Sequence, residues 1–143
     1  MTYNPNAPNV VWETPIFLAA KNGHTEIVKI LASLTDNPNA PNEYGYTPIY
    51  WAAIKGHTEI VKFLAPLTDN PNAPNNIGET PIYWAASNGH TKIVQILVHL
   101  TDNSNAPDED GDTPINWAAY NGHTEIVKIL TPLTDNPNAP NNI

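Results

Sequence analysis

A period of 33 residues governs this chain. Thr-Pro pairs stand at Thr14-Pro15, Thr47-Pro48, Thr80-Pro81 and Thr113-Pro114, and Gly-His pairs at Gly23-His24, Gly56-His57, Gly89-His90 and Gly122-His123. Aligning 14–46 with 47–79 gives 24 identities in 33 positions, and 47–79 with 80–112 gives 21, so the chain is a tandem array. A unit this short cannot enclose a core. It must bury its apolar side against its neighbours, which restricts the fold to a stack of units in which each touches only the next. The expected division is a single array over 1–143, with units 14–46, 47–79, 80–112 and 113–143 behind a partial connector at 1–13.

Within a unit the signals are helical. In "TPIYWAAIKG", Thr47 is placed to cap a helix whose first turn holds Pro48, and Gly56 ends it. In "HTEIVKFLAPL", Ile60, Val61, Phe63, Leu64 and Leu67 fall at helical spacings and form a wide apolar stripe. Helices of this length do not persist alone, so each pair needs its neighbours. The paired alanines 19–20, 52–53, 85–86 and 118–119 predict close helix approach. The segment "LTDNPNAPN" (Leu67–Asn75 and its copies) has the composition of a disordered tract, but in register it links each second helix to the next Thr-Pro start. Its prolines fix backbone angles and its Asn and Asp side chains bond locally, so it reads as an ordered connector.

The run "GYTPIYWAAIKGHTEIVKFLA" and its copies resemble the signature of the ankyrin repeat family over essentially the whole chain. The resemblance implies an all-α repeat solenoid: stacked antiparallel helix pairs joined by β-hairpin-like loops, with protein binding through the hairpin tips and the concave groove. It implies no common catalytic apparatus. Asn72, with Asn39, Asn105 and Asn138, matches an Asn that members use to brace the backbone. Departures are visible. The family's histidine after Thr-Pro, which ties adjacent repeats together, is replaced by Phe17, Tyr50, Tyr83 and Asn116, so its network must be replaced or lost. Trp51, Trp84 and Trp117 suggest a bulky internal layer whose indole N–H groups need partners. Pro66 and Pro132 are expected to tighten the last turn of the second helix.

The candidate chemistry is thin. The four periodic histidines are spaced as helices pack, about 8–10 Å apart, whereas metal ligands converge at about 2 Å; they read as structural. The run Asp108–Asp112 has its glycine, Gly111, in the fourth place, against the sixth of a calcium-binding EF loop, and reads as a solvated hairpin tip. Ser33, Ser87 and Ser104 lie in no nucleophile elbow. No cofactor, metal or enzymatic activity is expected. With 14 acidic residues, 6 lysines, no arginine and a net charge of −8, nucleic acid and anionic membrane surfaces are disfavoured partners. Lacking cysteine, a long apolar run and a signal sequence, the chain is expected in the cytoplasm or nucleus.

Positions that vary between units point to a binding face. They precede each Thr-Pro and end each first helix, and the candidates are Val11, Glu13, Tyr44, Tyr46, Ile54, Ile77, Glu79, Asp110, Asp112 and Tyr120. The expected partner is a protein with an apolar patch and adjacent Lys or Arg. The alternative is a consensus-like array, or a piece of a longer one, without a specific partner. Its end units keep internal-style apolar residues and would self-associate, unless Trp12 folds over the first end.

Overall fold

The computed structural model describes residues 6–7 and 13–141. Four helix pairs follow one another: α1 (Pro15–Lys21) and α2 (Thr25–Ala32), α3 (Pro48–Lys55) and α4 (Thr58–Leu64), α5 (Pro81–Asn88) and α6 (Thr91–Val98), α7 (Pro114–Tyr120) and α8 (Thr124–Leu130). No strand occurs among the described residues. The first helices stack as one layer, α1 on α3 on α5 on α7, and the second helices as another, α2 on α4 on α6 on α8. The stack required by the period is thus built as the all-α solenoid that the family resemblance implies.

The starts are set as the sequence indicates. Thr14, Thr47, Thr80 and Thr113 are extended N-caps whose hydroxyls accept from the N–H groups of Phe17, Tyr50, Tyr83 and Asn116, each with Pro in the first turn. The fourth start also closes a reciprocal box, because the Asn116 side chain accepts from the Thr113 N–H at 2.9 Å. Pro66 and Pro132 convert the ends of α4 and α8 into 3-10 turns, Ala65–Leu67 and Thr131–Leu133. The core runs unbroken along the stack. Ala52, Ala53, Ala85 and Ala86 are fully buried between first helices, and Ile60, Leu64, Ile93, Leu97, Ile126 and Leu130 fill the space between the layers.

Glycine is required where one pair meets the next. Gly56 and Gly89 cap α3 and α5 in the left-handed conformation, at φ 78°. A methyl group on Gly56 would lie 2.8 Å from the ring of His90, and one on Gly89 2.7 Å from that of His123. Each histidine therefore packs directly on the glycine turn of the preceding pair.

The connectors are ordered. Asn39, Asn72 and Asn105 accept from the N–H groups of Ile49, Ile82 and Ile115 at 2.9, 2.9 and 3.0 Å, bracing the next helix start across ten residues. The following turns close without a strand ladder. Asn42 N–H donates to Tyr46 C=O, while the Asn42 side chain accepts from the N–H groups of Tyr44 and Tyr46. Asn75 and Asp108 repeat this arrangement. Asp108 is thus a turn-former and not merely one charge of a solvated tip.

Candidate functional site

The turn tips form a row held together by backbone. Asn76 N–H donates to Tyr44 C=O at 3.0 Å and Glu109 N–H to Ile77 C=O at 2.9 Å; the Asn76 side chain also donates to Glu43 C=O. On this row Tyr44 is 54 % exposed and Ile77 44 %. Asp110 is exposed on the next tip, and Tyr120, at the end of α7, is 80 % exposed.

Not every candidate is open to solvent. Asp112 is buried, its carboxylate accepting from the Asn141 side chain at 2.6 Å, because the last connector folds back over it. Tyr46 is half-buried in an aromatic cluster, with ring centroids 4.9 Å from Tyr50 and 5.5 Å from Trp51. Ile54, Glu79 and Glu13 are also half-buried. Val11 and Trp12 lie outside the described residues.

Tyr46, Ile54 and Glu79 share a cleft of about 280 Å³ with Tyr50, Trp51, Trp84 and Asn88, between the second and third helix pairs. The tryptophans are half-exposed walls of this groove and not a closed internal layer. The buried indole nitrogens of Trp84 and Trp117 make no hydrogen bond of full geometry, but Trp84 sits close enough to Tyr50 and Glu79, and Trp117 to Tyr83, to favour the charged forms of those groups. Burial holds the Glu79 carboxyl above its ordinary range, and the charges of Asp108 and Glu109 add to the effect; a hydrogen bond from the Asn75 side chain at 3.1 Å opposes it. Burial, reinforced by Glu79 and Tyr46, pushes the Tyr50 hydroxyl up and keeps it neutral. At the neighbouring boundary the Lys21 ammonium lies 4.5 Å from the centre of the Trp51 ring.

Two ties across the stack were not foreseen as such. The Asn75 side chain donates to the Tyr50 hydroxyl at 3.1 Å, and the Tyr83 hydroxyl donates to Asp108 at 3.0 Å. Each tyrosine reaches the next turn and takes over the tie lost with the histidine after Thr-Pro. The histidines of the Gly-His pairs make a second set. The ring Nε2 of His90 meets Ile54 C=O and that of His123 meets Ser87 C=O, both at 3.0 Å, so these nitrogens carry the proton. Asn88 and Asn121 donate to the same carbonyls.

The family model described as ankyrin repeats (3 copies) matches residues 2–75 and 67–141. The chain belongs to the ankyrin repeat family. No curated protein matches it significantly. Ankyrin repeats are generally protein–protein interaction modules. In this ankyrin array no helix among the described residues is long and apolar enough to cross a membrane.

Proposed function

We propose that the array, as four units of one domain, is a non-enzymatic scaffold that binds another protein through its turn-tip row and the adjoining groove. The observation that carries this reading is the placement of Tyr44 and Ile77, two large exposed side chains, on rigidly linked tips beside the aromatic cleft. Aromatic side chains on a preorganised surface supply contact area at little entropic cost. The partner would present an apolar patch flanked by basic residues, matching Glu79, Glu109 and Asp110 along the same edge.

The test is capture of partner proteins by the wild-type chain and by a Tyr44→Ala/Ile77→Ala variant. Both positions are exposed, so the variant should keep its helical signal and melting behaviour and lose the captured proteins. Unchanged capture would move the binding face elsewhere.

Self-association is a second reading, favoured by the first pair. Ile27 is 48 % and Ile30 63 % exposed, whereas Ile60, Ile93 and Ile126, at the register of Ile27, are fully buried. Light scattering over a concentration series tests it; a mass that stays monomeric at high concentration rejects it.

A further inference from the structure

The cleft between the second and third pairs has a chemistry that narrows the partner, and the inference rests on the protein-binding reading above. We propose that it seats one cationic side chain, a lysine or arginine of the partner polypeptide, between the aromatic walls and the Glu79 carboxylate.

Three observations converge on this. First, the chain already shows the interaction one step earlier, where Lys21 of the first pair lies over Trp51 of the second. One period on, Trp84 stands where Trp51 stood and Ile54 where Lys21 stood, and among the described residues no lysine lies over the Trp84 ring. Second, Tyr46, Trp51 and Trp84 line the cleft; an aromatic face carries the negative side of the ring quadrupole, and of these rings only Trp51 already has a cation, Lys21, over it. Third, Glu79 has no ion-pair partner among the described residues. The Asn75 side chain donates to it at 3.1 Å and the Trp84 indole favours its charged form, but neither neutralises it, and the charges of Asp108 and Glu109 oppose its ionisation.

The choice of occupant follows. A neutral apolar side chain filling the cleft would strip water from Glu79 and give nothing back. An anion would be repelled. A cation alone satisfies both the rings and the carboxylate, and the chain's net charge of −8 draws it in.

The experiment follows the tryptophan indole N–H signals of the full chain by NMR during titration with Nα-acetylated, C-terminally amidated lysine, arginine, norleucine and glutamate. Lysine and arginine should shift the Trp51 and Trp84 signals saturably, with norleucine at least about tenfold weaker and glutamate without effect. Glu79→Gln should weaken the lysine probe by about fivefold or more. Ile54→Lys, which places an ammonium at the register of Lys21, should exclude the probe while the chain stays folded. Norleucine binding as well as lysine, binding of glutamate, an unaffected E79Q variant, or no saturable shift with any probe would each overturn the proposal. The two readings separate cleanly. If the probes fail but partner capture still depends on Tyr44 and Ile77, only the cleft assignment falls; if capture ignores those tips, the groove reading falls.

Discussion

At the scale of single residues, the side chains that hold the array together and the one that strains it sit within a few positions of each other. Asn72 is fully buried, accepts from Ile82 N–H at 2.9 Å and donates to the Asn103 side chain at 3.1 Å. Asn72→Ala should cost about 2–3 kcal/mol, since it leaves a buried N–H at the start of α5 without a partner; chemical denaturation measures it, and a loss below about 0.5 kcal/mol would mean that water replaces the amide. Glu79 acts in the opposite sense. Its folded pKa lies above the usual 4.5, so the folded chain holds the proton more tightly than the unfolded chain. Stability therefore falls as pH rises from 4.5 through the raised value, and the penalty is fully present above it. Glu79→Gln removes the charge and retains an oxygen for Asn75. The variant should be slightly more stable than wild type at pH 7, by a margin that solvent screening of this part-exposed carboxyl keeps small, with the gap closing in acid. Melting curves across pH decide it; a variant less stable at pH 7 would show that Glu79 is already compensated. A residue that costs stability in the free protein and strengthens the lysine probe is the signature of a binding group.

At the scale of elements, the junction between pairs is a glycine turn capped by the next histidine ring, and the array contains its own control. Gly89 and Gly122 share nearly the same left-handed φ, 78° and 77°, but a methyl group on Gly89 would meet the His123 ring at 2.7 Å while one on Gly122 meets nothing within 4 Å. Gly122→Ala should cost only the backbone penalty, about 1 kcal/mol. Gly89→Ala should cost at least about 1 kcal/mol more, because His123 must leave Ser87 C=O. Equal losses in a denaturant series would mean that the ring yields freely. The contrast also marks how far the sequence could be read. Thr-Pro caps, Gly stops and the 3-10 turns at Pro66 and Pro132 are local, so the chain spells them out. The cleft is not local. Its walls come from two periods, and its character depends on Ile54 standing where Lys21 stood beside an unchanged tryptophan, a signal present in the alignment but meaningless until one pair is laid on another. Asp112 illustrates the same limit, for its burial depends on Asn141, 29 residues away.

At the scale of the whole molecule, stability in a stack is distributed by neighbours, and the ends have only one. The model of nearest-neighbour coupling applies unevenly here. In α6, Ile93, Val94 and Leu97 are all buried; in α2 only Val28 is, while Ile27 and Ile30 face outward. The first pair should therefore open before the second and third, and its amide protons should exchange at least about tenfold faster than those of α3–α6 at low protein concentration. If a second copy covers Ile27 and Ile30, protection in α2 should rise with concentration, and Ile27→Glu/Ile30→Glu should abolish that rise without altering α5 and α6. Exchange that is uniform from α1 to α6 would mean that the array opens as one cooperative block. Protection in α2 that stays low at every concentration would instead leave the first pair a frayed end. The aromatic cleft between the second and third pairs would then remain intact while that end opens, because it draws on the two pairs with neighbours on both sides.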